Sequence, residues 1–205
     1  MTDKNAAAPE TTGPRRNFYG RRQGRPLKAG AREAFETVLP ALALDIARLS
    51  APETLFPDLP KLALEIGFGG GEHLAEVAAQ HPQVGFLGVE PFINGVAKLV
   101  RAVESRGLAN VRVLRDDARL LLKVLPTASI ERAYVLYPDP WPKARHHKRR
   151  IVNADTVADL ARVVQPGGRL QLATDVPDYA RWMLAVMLAE PRFAWLAKRA
   201  ADWRE

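Results

Sequence analysis

The sequence contains no cysteine, which excludes disulfides and thiolate metal ligands and fits a chain working in a reducing cytoplasm. It has no run of about 18 apolar residues that would cross a bilayer as a helix. Its first residues, Met-Thr-Asp-Lys-Asn-Ala-Ala-Ala, lack the apolar centre of a signal peptide. Histidine is scarce, with 4 in the chain, and the adjacent pair His146 and His147 has no spaced histidine or acid beside it, so no metal site is expected. There is no internal repeat. Nothing in the sequence separates a monomer from a homodimer.

What is present suits one domain of ordinary size with tails: 205 residues, 47% hydrophobic and 26% charged. The formal charge of +7 is localised. Arg15, Arg16, Arg21, Arg22, Arg25, Lys28 and Arg32 are 7 basic residues within 11–32, where no acid occurs, so the rest of the chain sums to zero. A basic, Gly- and Pro-rich arm on a neutral domain suits a nucleic-acid partner, because neutralising phosphates releases counterions. Residues 1–30 are expected to hold no structure of their own and 31–205 to form the domain. From Ala31 to about Leu49, apolar residues at helical spacing predict a covering helix, bent or interrupted at Pro40.

Beyond that point short apolar runs alternate with helical segments. Strands are expected at 61–66, 85–89, 111–114, 130–136 and 169–173, and helices near 72–80, 93–106, 118–124, 152–164 and 177–188. This is the pattern of an α/β protein with a doubly wound, mostly parallel, Rossmann-like sheet and helices on both faces. Ligands of such folds lie beyond the carboxyl ends of the strands.

Acids and glycines stand at those ends. Gly67-Phe68-Gly69-Gly70-Gly71-Glu72 closes the first strand and opens a helix, a place where backbone approaches a ligand closely. Glu72 occupies the last glycine position of a dinucleotide fingerprint and would face a pyrophosphate, so a ligand with little phosphate fits better. Glu90 ends the second strand, where an acid accepts ribose hydroxyls. Asp116 and Asp117 follow the third, placed either to accept from an adenine amino group or to cap the helix at Ala118. The fourth strand runs into Tyr137-Pro138-Asp139-Pro140-Trp141-Pro142-Lys143, whose prolines are expected to hold the preceding residues extended and so present Asp139 on a stiff loop. Arg145, Lys148, Arg149 and Arg150 follow without an acid. Pro166-Gly167-Gly168 reads as a turn before the last strand, which ends at Thr174-Asp175 beside Asp139. Asp175 is a second substrate-facing candidate, or a helix cap. Trp182, Phe193 and Trp195 read as core packing, and Trp141 as packing its loop on the sheet.

Taken in order, Leu-Glu-Ile-Gly-Phe-Gly-Gly-Gly, Gly-Val-Glu-Pro-Phe, Asp-Asp-Ala, Tyr-Pro-Asp-Pro-Trp-Pro-Lys and Ala-Thr-Asp strongly resemble the tRNA (guanine-N7-)-methyltransferase family over about 32–188. The resemblance implies the class I methyltransferase fold, S-adenosyl-L-methionine as cofactor, and methylation of a guanine N7 in the tRNA variable loop. It implies that Glu65, Gly67, Glu90, Asp117 and Asp139 bind cofactor, and that Asp139 is also the active-site carboxylate. Lys143 and Asp175 would contact substrate, and Arg145, His146, His147, Lys148, Arg149 and Arg150 would contact RNA. Family members carry a further Thr-x-x-Glu stretch near the guanine. This chain ends at Asp202-Trp203-Arg204-Glu205, so it either stops short of that stretch or builds that end of the pocket differently. A non-catalytic RNA-binding domain would leave the strand-end acids unexplained; a small-molecule methyltransferase would leave the arm and basic loop unexplained.

Overall fold

The computed structural model describes residues 20, 22–46, 49, 55–199 and 202. Most of the basic arm, 1–19 and Arg21, lies outside them, and with it most of the expectation made for 1–30. The part that is described is held. Arg22 O accepts from Ile93 N–H at 2.9 Å. Asn94 accepts from Gly24 N–H and donates to Arg25 O, both at 2.8 Å.

Helices α1 (Ala29–Thr37) and α2 (Leu39–Leu42) replace the single covering helix. The break falls at Val38, with Pro40 in the first turn of α2, where its missing donor costs no helical bond. The helix expected to run on to Leu49 does not. Ala43 pairs with Val113 and Leu44 N–H donates to Val113 O at 2.8 Å, so the chain covers an open strand edge instead.

The strands are β1 (Lys61–Ile66), β2 (Val84–Val89), β3 (Val111–Leu114), β4 (Ile130–Leu136) and β5 (Val164–Ala173). They alternate with α3 (Glu72–Gln80), α4 (Ile93–Arg106), α5 (Ala118–Val124), α6 (Ala154–Val163) and α7 (Pro177–Leu188). Every pair in the order β3-β2-β1-β4-β5 is parallel. Alternation along β1 divides the core. Leu62, Leu64 and Ile66 pack with Leu121, Leu160 and Tyr179 on one side of the sheet, while Ala63 packs with Ala34, Leu74 and Leu99 on the other. Each fully buried leucine stabilises the fold by about 1.5–3 kcal/mol.

The expected turn at Pro166-Gly167-Gly168 lies inside β5 as a bulge. Val164 pairs with Ile130 and Arg169 with Arg132, so four residues of β5 stand against one of β4, with Gly167 at φ 76°. Trp182 is half-buried, its Nε1–H donating to Val152 O at 2.7 Å, and Phe193 packs against the core. Trp195, expected inside, is 50% exposed; it follows α7 and no strand covers it among the described residues.

Candidate active site

The chain builds β1, β2 and β3 outward in one direction and then returns past β1 to begin β4. The carboxyl ends of β1 and β4 therefore flank the place where connections diverge, and such a crevice is where open α/β sheets bind ligands. A cavity of about 470 Å³ lies there, within the range of small-molecule sites. Its walls come from four strand ends: Ile66 at the end of β1 with Gly67 and Gly69 after it; Glu90 and Phe92 after β2; Asp117 and Arg119 after β3; Asp139, Trp141 and Arg149 after β4.

Gly67 sits at φ 73°, donates to Val89 O at 2.8 Å, and a Cβ there would meet nothing within 4 Å. Backbone is thus bare toward the cavity. Glu90 is 9% exposed, and its two oxygens accept from Phe92 N–H and Gly69 N–H at 2.9 Å each. Burial pushes its carboxyl above the ordinary range; the two amides oppose that shift and the neighbouring charge of Asp139 adds to it. Asp117 caps α5, accepting from Arg119 N–H and from its guanidinium at 3.0 Å each, so it is both the helix cap and part of the cavity wall.

Asp139 is exposed at the rim. Leu136 pairs with Ala173, which brings the loop carrying Asp139 alongside Thr174-Asp175. Asp175 is exposed too, and α7 starts from Val176 without a side-chain cap, so the capping role considered for Asp175 is not taken up. The loop departs from expectation in its backbone. Tyr137 and Trp141, each before a proline, have φ of 50° and 42° rather than extended values. The chain must leave β4 sharply while Tyr137 N–H stays bonded to Ala173 O at 2.8 Å, and each such residue costs about 1–3 kcal/mol.

Two expected site residues are turned inward, and for one of them, Arg150, this overturns the expected role. Glu65 is buried, 3% exposed, next to Ile66 and Gly67 of the cavity wall. Strand alternation turns it toward α3, where His73 Nδ1 lies 2.7 Å from its Oε2 and is raised in pKa chiefly by that bond. Arg150 is not available to RNA. It is 1% exposed, its Nε donates to Pro140 O at 2.8 Å, and its Nη2 meets Asp178 Oδ2 at 2.7 Å. The rest of the run divides. Lys143, Arg145 and Lys148 are exposed, whereas Arg149 lies over the Trp141 ring at 4.9 Å, and His146 and His147 sit edge-on to Trp141 and Trp182. The His146 pKa is lowered by burial first and then by Arg149, Arg145, Lys143 and Lys148.

Trp141 and Arg119 belong to the cavity although neither was singled out for it; a tryptophan between two prolines, and an arginine two residues past a capping acid, were the available signals. The donor set suits a cationic adenosyl ligand: buried Glu90 with Asp117 and Asp139, bare glycine backbone, and the apolar faces of Ile66, Phe92 and Trp141. Among the described residues no group of three or more His, Asp or Glu side chains would hold a metal ion, and no helix is long and apolar enough to cross a membrane.

The sheet order and the strand-end cavity are those of a doubly wound, nucleotide-binding α/β fold, and the similarities that follow make the chain a class I, S-adenosylmethionine-dependent methyltransferase. A solved O-methyltransferase of Thermotoga maritima, described as dependent on that cofactor, shares the fold with a TM-score of 0.50 and 13% identity, over 72% of this chain and 49% of its own. Residues 60–204 match a family model described as putative methyltransferase. The tRNA (guanine-N(7)-)-methyltransferase of Azorhizobium caulinodans is 47% identical over 188 residues, 91% of this chain and 82% of that protein. That of Roseobacter denitrificans is 48% identical over 200 residues, 94% and 85%. The chain belongs to the tRNA (guanine-N(7)-)-methyltransferase family.

A pH dependence follows from Glu90. Its folded-state value lies above the ordinary 4.5, so folding takes up a proton. Stability from that proton is present at low pH and is lost as pH rises through the raised value. Binding that needs the carboxylate to accept hydroxyls runs oppositely and strengthens over the same window. Calorimetric titration with S-adenosylhomocysteine is expected to show affinity rising as pH climbs from about 4.5 through the raised value, and Glu90→Gln is expected to bind more weakly with most of that dependence gone.

Proposed function

We propose that this chain is a cytoplasmic enzyme that methylates N7 of a guanine in the variable loop of tRNA. The observation that carries the reading is Asp139, exposed at the rim of the acid-lined cavity, with Asp175 exposed after the adjacent strand and Lys143, Arg145 and Lys148 exposed in the segment that follows Asp139. When bound, S-adenosylmethionine supplies an electrophilic methyl group. Glu90 and Asp117 hold its nucleoside end, and the bare Gly67 and Gly69 backbone accommodates its approach.

Guanine N7 carries an exposed lone pair, so no proton has to leave before it attacks. The protein's task is alignment, worth roughly 7–11 kcal/mol in favourable cases. Methylation moves positive charge onto the purine. Asp139 accepts from the base's N1–H and amino group and lowers the energy of that charged product; Asp175 assists from β5, and Lys143 holds a phosphate.

Incubation with bulk tRNA and a labelled methyl donor, followed by mapping of the modified base, tests the reading. Label in 7-methylguanosine of the variable loop is expected, and label confined to another base or to small molecules would overturn it. Neutralising Lys143, Arg145 and Lys148 together is expected to weaken tRNA binding and to lessen the slope of log affinity against log salt by roughly 0.7–0.9 per lost phosphate contact.

A further inference from the structure

We infer that Arg150 is a positioning residue that locks the loop bearing Asp139 onto α7 and so sets the separation of Asp139 from Asp175. The inference rests on the reading above, in which those two carboxylates receive the guanine. By sequence Arg150 closes a run of RNA-facing cations, yet the structure turns it inward. Its guanidinium spans two parts of the site. One side donates to the carbonyl of Pro140, the residue between Asp139 and Trp141, at 2.8 Å. The other pairs with Asp178 at 2.7 Å, and the flat cation lies over Tyr179 and Trp182 with centroid distances of 4.9 and 4.8 Å. Asp178, Tyr179 and Trp182 all belong to α7, which begins two residues after Asp175.

The loop needs an external hold. Pro138, Pro140 and Pro142 remove three backbone donors from it, and Tyr137 and Trp141 sit at positive φ, a geometry that persists only where the surroundings over-determine it. Its entrance is tied to β5 through Tyr137 N–H and Ala173 O. Arg150 ties its middle. A guanidinium is required because one planar fork must donate in two directions while stacking on two rings, which an ammonium does not do.

The test uses the full chain with Arg150→Lys, Arg150→Met and Asp178→Asn, read by tRNA methylation kinetics, salt dependence of tRNA binding, and amide hydrogen exchange over 137–149. Arg150→Met is expected to lower kcat about 100-fold, with KM for tRNA within about twofold and the salt slope unchanged. Arg150→Lys is expected to recover about tenfold of that loss, and Asp178→Asn to lose least. Exchange over 137–149 is expected to speed in the same order. A raised KM and a shallower salt slope at unchanged kcat would instead make Arg150 an RNA contact and overturn the inference, as would unchanged exchange. Should Arg150→Met fail to fold, Asp178→Asn carries the same readouts: faster exchange with lowered kcat supports the inference, and wild-type values for both overturn it. Failure of the wild-type protein to label tRNA would strike the functional reading alone, because exchange reports on the loop without turnover.

Discussion

Asp139→Ala is expected to lower the single-turnover rate of guanine methylation by about 10²–10³-fold, while affinity for S-adenosylhomocysteine stays within severalfold of wild type. The split follows from where the carboxylate stands. Asp139 is exposed at the rim, whereas Glu90 and Asp117 are buried in the wall. Removing Asp139 therefore takes away the group that faces the base and leaves the groups that face the nucleoside. Asp139→Asn is expected to fall between wild type and alanine, because an amide still accepts a hydrogen bond but carries no charge to balance the methylated purine. A second signature accompanies the loss. Asp139 adds to the upward shift of Glu90, so in either variant the pH window for cofactor binding is expected to move down. Wild-type rates in Asp139→Ala would remove Asp139 from the chemistry.

Gly95→Ala is expected to be the most damaging glycine-to-alanine change among the described residues. Gly95 lies in the first turn of α4, and a Cβ there would stand 2.9 Å from the carbonyl carbon of Gly69 and nearer still to its oxygen. That carbonyl is backbone and cannot swing aside as a side chain would. Gly69 is also the residue whose N–H is held by Glu90, so displacing it frees a buried carboxylate as well as spoiling the floor of the cavity. Overpacking of this kind costs about 1–3 kcal/mol, which in a domain of this size lowers Tm by about 2–4 °C per kcal/mol. Cofactor affinity is expected to drop at least about tenfold, through loss of the Gly69 bond to Glu90. Gly30→Ala, in α1 with nothing within 4 Å of an added Cβ, serves as the control. It is expected to leave affinity unchanged and to raise stability by up to about 1 kcal/mol.

The middle of the fold was legible because its signals are local. Apolar spacing and turn residues bound α4 at 93–106 and β4 at 130–136 as the structure has them. The covering helix was overdrawn because residues 43–44 satisfy an edge of β3, a demand that their own spacing does not record. At the site, the acids at strand ends were readable for the same reason that the topology was. Glu90, Asp117 and Asp139 needed only the knowledge that each strand stops before them. Arg150 was misread because charge in a sequence argues for solvent, and its partners Pro140 and Asp178 lie 10 and 28 residues away in the chain. The positive φ of Tyr137 and Trp141 escaped for a related reason. A proline's preference for extended geometry before it is modest, and the pull of Ala173 O on Tyr137 N–H overrides it.

The bulge in β5 has a consequence for reach. Above it, Arg169 to Ala173 keep register with Arg132 to Leu136, and Asp175 emerges two residues past the last pair. The three surplus residues absorb the mismatch between where α6 delivers the chain and where the site requires a carboxylate. Without that slack, a one-residue slip of the upper half of β5 would move it by about 3.3 Å and turn Leu170 and Leu172 from the core to the open face. The Pro-Gly-Gly segment is thus a spacer, and the distance from bulge to strand end works as the ruler by which Asp175 is laid beside Asp139.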